Sequence, residues 1–401
     1  MSENLRYWLW LSRALGAGAA IKSLCEEFGG AKEIYNSNII EWRMSPSLSL
    51  NQINRLESTS LNSIEEIIYT CEQNGWKIID FDDERYPNRL KEIYNPPAVL
   101  FVDGELPDID NSLCIGVVGT RKASAYAVKS AHIMSRGIAE AGAVVVSGGA
   151  LGVDTASHKG AIMAGGKTIS VLGCGLGANY LMKNAPLRDV IKRNGALITE
   201  YPPFESASKY TFPMRNRIIS GLSLGVLVVE ASVKSGSLIT AKHALEQGRD
   251  VFAIPSSVLD VDFRGTNKLI EDGAYVATTP ESILSVYRNR FDTVDMSKVR
   301  SIEELMYDNS DKGANTEDDN KDYVFDHLEE GRQQRIELEN KALSLAGDLK
   351  TVYYSLEKHF ENADVIIEKS RLQSSKVMSA LMQLELMGLV KSASGKRYKQ
   401  S

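Results

Sequence analysis

The chain is 401 residues long, enough for two or three domains. Its 43% apolar and 24% charged residues are those of an ordinary globular protein, which excludes a fibrous or wholly disordered chain. The net charge of -6 argues against a nucleic-acid partner only until its distribution is read: between Glu303 and Asn340 there are 13 Asp and Glu against 4 Lys and Arg, so the remainder of the chain is net positive.

Residues 1–75 show helix-like apolar spacing without strand alternation, and predict a small helical domain. The apolar patch between Arg6 and Arg13 is too short for a signal h-region or a membrane span, so a cytoplasmic protein is expected. LGAGA (15–19) is a small-residue turn between two helices. It fits either a tight helix–helix connection or a helix-hairpin-helix that offers backbone amides to a DNA phosphate. Cys25, Cys71, Cys114 and Cys174 have no paired spacing, and the five histidines share no helix face. Neither a zinc site, a disulfide framework nor a catalytic metal is expected.

Short β-rich runs and paired prolines begin after residue 75. Six apolar runs then follow: CIGVVG (114–119), AVVVSG (143–148), TISVLG (168–173), ALITEY (196–201), LGVLVVEA (224–231) and DVFAIP (250–255). Their alternation with helical stretches predicts a parallel, doubly wound α/β core over 76–290. An acidic linker is expected over 291–340, with 308–322 almost free of apolar residues. Residues 341–401 read as three short amphipathic helices and a hairpin around Ser394-Gly395, a winged helix. It carries 10 Lys and Arg against 6 Asp and Glu and suits a DNA or a protein partner equally.

Ligands of open α/β sheets sit beyond the carboxyl ends of the strands. The loops there share a theme: Gly119-Thr120-Arg121 with Ser124 as a helix cap; Ser147-Gly148-Gly149 with Gly152 and Asp154 as a cap; Gly173, Gly175 and Gly177; Lys234-Ser235-Gly236-Ser237. Glycines at helix starts let amides approach an anion, although each cluster by itself also serves simply to turn the chain. Two arginines flank an asparagine in TFPMRNRIISG (211–221), just before an apolar run that would normally shed charge.

Other chemistries fit less well. GAIMAGGKT (160–168) has Ala161 where a Walker A loop needs its first glycine, and its lysine precedes a strand. GCGLGA (173–178) matches the dinucleotide fingerprint, with Glu200 at a ribose-binding distance. Pro186, however, would fall inside the helix that fingerprint requires, and a helix capped by Asn184 fits better. His158 and Asp154 lie one helical turn apart with no identifiable nucleophile, and Glu230 at a strand end is structural or, less simply, the acid of a hydrolase.

GVVGTRKAS, SGGALGVDTASHKGA, VLGCGLG, TEYPP, FPMRNRIISGLS, VVEASVKSGSLITAKHALEQGRDVFAIP and GTNKLIEDGA resemble, in order and spacing, the DNA processing protein A family, also called Smf. The resemblance is dense over about 75–285. It implies a Rossmann-like core that binds single-stranded DNA, forms a homodimer and delivers the strand to the RecA recombinase during natural transformation, without catalysis, cofactor or membrane. The DNA-binding candidates are Gly119, Arg121, Ser147, Gly148, Gly173, Arg215, Asn216, Arg217, Lys234, Ser235, Gly236 and Ser237. Arg215 and Arg217 would reach phosphates while the backbone turns into the next strand, and Asn216 would brace that turn. Tyr201, Phe204, Tyr210 and Phe212 are available to stack bases, or to pack in the core or a dimer interface. Phe204, Ser256, Phe263 and Leu181 depart from the family pattern, which has glycine, glycine, serine and proline there.

The alternative is a Rossmann-like binder or hydrolase of a nucleotide-derived ligand. Such nucleotidases resemble a PGGxGTxxE pattern, and SGSLITAK here presents Lys242 in place of the catalytic acid, which favours binding.

Overall fold

A computed structural model describes residues 4–180, 182–306, 345–357, 361–393 and 396–400. The chain divides into two compact units, residues 1–308 and 309–401.

The first unit opens with six helices, α1 (Leu5–Leu15), α2 (Ile21–Phe28), α3 (Ala31–Asn36), α4 (Ile39–Met44), α5 (Leu50–Ser58) and α6 (Asn62–Gln73). Apolar side chains recur at helical spacing along α1, and Trp8, Leu9, Leu11 and Ala14 are buried there with Leu24, Ile34 and Ile64. Trp8 Nε1 donates to Asp82 at 2.7 Å, tying this bundle to the start of the sheet. LGAGA is the connection between α1 and α2, and Gly16 and Gly18 both adopt positive φ.

The sheet has nine strands: β1 (Lys77–Asp80), β2 (Val99–Gly104), β3 (Cys114–Val118), β4 (Val144–Ser147), β5 (Thr168–Val171), β6 (Gly195–Thr199), β7 (Gly225–Val228), β8 (Asp250–Ala253) and β9 (Tyr275–Val276), in the order β1-β2-β6-β5-β4-β3-β7-β8-β9. The six predicted strands are β3 to β8, and all pair in parallel. β1 and β2 extend the sheet antiparallel beyond β6. Fully buried Val and Ile side chains on both faces explain why the runs read as continuously apolar. Each such side chain contributes roughly 1.5–3 kcal/mol on burial.

The helices of the core are α7 (Asn88–Lys91), α8 (Ala125–Glu140), α9 (Val153–Met163), α10 (Ala185–Asn194), α11 (Thr211–Leu222), α12 (Ser237–Glu246), α13 (Arg264–Glu271), α14 (Pro280–Leu284) and α15 (Ile302–Met306). Residues of α8, α9 and α14 pack on one face of the sheet, and residues of α7, α11 and α12 on the other. Residues 291–306 do not begin a linker as expected. Leu305 is fully buried, and Phe291, Val294, Met296, Val299 and Ile302 pack on the core, because this stretch carries apolar residues that the acidic part lacks. The expected linker over 308–322 lies outside the described residues.

In the second unit, helices over Gly347–Tyr354, Ala363–Ser370 and Ser374–Leu386 enclose a core that includes Val352, Ile366, Val377 and Leu381. Strands Val390–Ala393 and Arg397–Gln400 form the expected antiparallel pair; Ser394 and Gly395 at its tip lie outside the described residues. Among the described residues, no helix is long and apolar enough to cross a membrane, and no three His, Cys, Asp or Glu side chains cluster as metal ligands would.

Candidate nucleic-acid interface

β3 is the strand at which the winding reverses: β4, β5 and β6 lie to one side and β7, β8 and β9 to the other. Connections leaving β3 and β7 therefore run apart and open a crevice between them. A cavity of about 380 Å³ occupies this place, lined by Gly119, Thr120 and Arg121 after β3, Ser235, Gly236 and Ser237 after β7, and Phe212, Arg215 and Asn216 of α11. Seven of the twelve sequence candidates thus line one crevice: Gly119, Arg121, Arg215, Asn216, Ser235, Gly236 and Ser237.

The floor is built from backbone and one buried cation. Arg215 is 4% exposed; its Nη1 donates to the carbonyls of Gly148 (2.6 Å) and Val171, and its Nε to Asn216 Oδ1 (3.1 Å). Burial draws the Arg215 pKa below its ordinary value, and Asp154 opposes that shift. Asp154 does not cap α9 as expected. Its carboxylate accepts from the Ala150 amide at 3.2 Å inside the glycine loop, and burial raises its pKa while Arg215 holds it down. Gly148 is required here: a Cβ would stand 2.6 Å from Asp154 Oδ2 and closer still to the Arg215 guanidinium. Ser147 is a rivet in the sheet, donating to Val117 O at 2.6 Å, and Gly173 abuts the Phe212 ring.

The rim carries the exposed Arg121 and Lys234 beside half-buried Phe212, Tyr180, Asn216 and Ser235 and buried Ser237. Arg121 lies over Phe212, and its Nη1 reaches Tyr180 Oη at 3.5 Å; Tyr180 and Phe212 have ring centroids 5.3 Å apart. Ser235 and Ser237 hydroxyls are 2.8 Å apart, and Asn216 Nδ2 donates to Gly236 O at 3.3 Å, fastening α11 to the loop after β7. Lys234 is exposed on that same loop, outside the crevice lining. Among the described residues neither Arg121 nor Lys234 forms a salt bridge, so both cations are available to an anion.

TFPMRNRIISG is a helix, not a turn into a strand. Pro213 sits in its first turn, where its ring is tolerated, and Phe212, Asn216 and Ile219 recur at helical spacing. The consequence falls on the two arginines. Residues two apart share a face of a strand but stand about 200° apart around a helix. Arg217 therefore points away from the crevice, 5% exposed, and forms a buried ion pair with Glu200. It is not positioned to contact a phosphate. The same pair occupies Glu200, the residue that a dinucleotide reading needs for a ribose.

Other expectations resolve similarly. Asn184 stands at the start of α10 as expected, but its side chain donates to Gly149 O (3.1 Å) and Thr155 Oγ1 (3.0 Å), bracing the glycine loop. Ser124 does cap α8, accepting from Ala127 N at 3.1 Å, and Glu230 accepts from Ser124 N and Oγ (3.1 and 2.6 Å), a structural brace. His158 is fully buried, with Nδ1 2.8 Å from Thr168 Oγ1. Tyr201 is buried, whereas Phe204 and Tyr210 are exposed. Phe204 meets Trp76 in a T-shaped contact, and Phe263 is buried against Tyr126. Ser256 is clasped through its backbone by Asn267, so its side chain is not what the loop needs. Leu181 lies outside the described residues. Tyr180 and the exposed Lys209, 5.0 Å from the Tyr210 ring, were missed in sequence; an aromatic and a lysine in polar loops had no periodic neighbour to mark them.

A doubly wound, mostly parallel sheet with a glycine-lined crevice at its switch point defines a Rossmann-like α/β protein. Comparison with known proteins narrows the class. Residues 77–288, just over half the chain, match the family described as DNA recombination-mediator protein A, and residues 339–396 match the DprA winged helix domain. The chain is 40% identical over 257 residues to DNA processing protein DprA of Bacillus subtilis, covering 60% of this chain and 86% of that one. It is 30% identical over 400 residues to protein Smf of Synechocystis, covering 98% of each. The solved structure of DNA processing protein A from Streptococcus pneumoniae superposes with a TM-score of 0.61 at 34% identity, over 71% of this chain and 98% of that one. The chain belongs to the DNA recombination-mediator protein A (DprA/Smf) family of DNA-binding proteins.

Proposed function

We propose that the crevice between β3 and β7 binds single-stranded DNA, and that the protein acts without catalysis, as a cytoplasmic homodimer, to hand the strand to the RecA recombinase during natural transformation. The observation that carries this reading is the meeting of Arg121, the Phe212 ring and the Ser235-Gly236-Ser237 loop along one rim. Sequence-independent binding of a single strand needs cations that track phosphates and an aromatic surface for bases, and this rim offers both. Arg121 supplies a planar fork for a phosphate, the serine hydroxyls and nearby amides supply neutral donors, and Lys234 extends the positive track. A duplex has no unstacked base to present to Phe212. Glu200 and Glu230 are both engaged in structural contacts, which disfavours a hydrolase.

The test is fluorescence anisotropy with labelled oligothymidylate and with duplex of equal length, over a salt series, beside an assay of nucleoside monophosphate hydrolysis. Preferential single-strand binding with a steep salt dependence is expected. Nucleotide turnover with no strand binding would overturn the reading. RecA filament formation on oligonucleotide coated with single-strand-binding protein, with and without this chain, tests the handover.

A further inference from the structure

We infer that Gly18, Glu200 and Arg217 form a positioning lock through which the N-terminal helices set the geometry of the crevice. The inference rests on the crevice being the strand-binding site, and it reassigns Arg217 from contact to support.

The lock is a three-way junction. Arg217 leaves the far side of α11 and pairs with Glu200, which follows β6; both are nearly inaccessible to solvent. Burial raises the Glu200 pKa, while Arg217 and then the Gly18 backbone amide hold it down. Gly18 comes from the α1–α2 connection, at φ +75°, a conformation that side-chain-bearing residues rarely adopt. A Cβ at this position would overlap Met214 Cε and approach Arg217 Nε at 3.9 Å. The LGAGA turn therefore packs directly against Met214 and Arg217 of α11. Gln247 closes the junction, donating to Arg217 O at 3.1 Å.

Arg217 Nε and Nη1 and Glu200 Oε1 are buried without a hydrogen-bond partner. A buried pair satisfied so incompletely is a poor source of net stability, since desolvation offsets most of its attraction. What it does supply is a single allowed rotation of the helix that carries it. On the opposite side of α11, Phe212 supports Arg121, Arg215 holds Gly148, and Asn216 holds Gly236. All three move together if α11 turns or slides, because a helix transmits such a shift as a rigid body. The N-terminal helices thus tune strand binding without touching the strand.

Hydrogen exchange and oligothymidylate binding on the full chain test this, with Gly18→Leu, Glu200→Gln and Arg217→Gln, and Arg121→Ala as reference. In Gly18→Leu and Glu200→Gln, faster exchange is expected across α11 and the loop at 235–237. Binding is expected to weaken roughly 2- to 30-fold, the range of mutations that act through a coupling element. The salt dependence should keep its slope in all three lock variants and flatten only in Arg121→Ala. A flattened slope in Arg217→Gln would make Arg217 a phosphate contact and overturn the lock. Unchanged exchange across α11 in folded Gly18→Leu, or in the nearly isosteric Glu200→Gln should Gly18→Leu not fold, would overturn it too. If the unaltered protein does not bind the oligonucleotide, the proposed function falls, and the exchange measurement still decides the lock.

Discussion

Arg121 sits over the ring of Phe212, its guanidinium carbon 4.4 Å from the ring centroid. One residue follows β3 and the other opens α11, so the contact exists only because the sheet brings the two loops to one rim. Such a contact contributes about 0.5–2 kcal/mol, and it holds the guanidinium across the mouth of the crevice. Phe212→Leu removes both this platform and a stacking surface. Base stacking of about 1–3 kcal/mol per base predicts a loss of roughly five- to a hundredfold in oligothymidylate affinity, with the salt slope preserved. Phe212→Trp should bind nearly as well as the unaltered chain; anisotropy titrations of the three proteins decide it.

Arg121 and Lys234 are exposed cations of these loops that form no salt bridge among the described residues, and their removal should act on the electrostatic part alone. Each Ala substitution is expected to weaken binding to all sequences alike and to reduce the slope of log K against log salt by about 0.7, the value per phosphate contact on a single strand. The double variant should lose about 1.4. A slope indifferent to both would place the strand elsewhere.

Gly148 is where the floor admits no side chain. Gly148→Ala places a methyl group against the Arg215 guanidinium and the Asp154 carboxylate, separating a buried cation from its carbonyl partners. A loss of about 1–3 kcal/mol in urea unfolding is expected, together with loss of strand binding. Gly236→Ala is the contrast, since nothing lies within 4 Å of an added Cβ there and its φ is ordinary. It should unfold in urea at nearly the concentration that unfolds the unaltered chain.

Acid should destabilise the core through two histidines. Burial lowers the His158 pKa to about 3 and the His132 pKa to about 4, from 6.5. Below pH 6.5 the unfolded chain takes up protons that the folded one refuses, so stability present above that pH is lost as pH falls toward about 4. Each histidine contributes a slope of about 1.4 kcal/mol per pH unit in that window. Urea titrations at several pH values should show the decline, and His158→Gln, if folded, should show a shallower one.

Much of the architecture was legible because the signals were local. Six strands announced themselves as short apolar runs, since each is buried on both faces, and the start of α10 followed from Asn184 and the proline after Ala185. Ser124 was readable as a cap because its partner is three residues away. Arg217 and Asp154 were misread for the opposite reason. Arg217 is defined by Glu200, a partner remote in sequence, and Asp154 is turned into the glycine loop beside the buried Arg215, where its carboxylate accepts from the Ala150 amide.

By itself the sequence determined the alternation of strand and helix, the glycine and cation content of the loops, and the family, because periodicity and spacing are properties of neighbouring residues. The tertiary structure alone decided which charges face the crevice. On a helix, two arginines separated by one residue point to opposite sides, and only the packing of α11 between the glycine turn and the sheet leaves one at the crevice floor and the other sealed behind it.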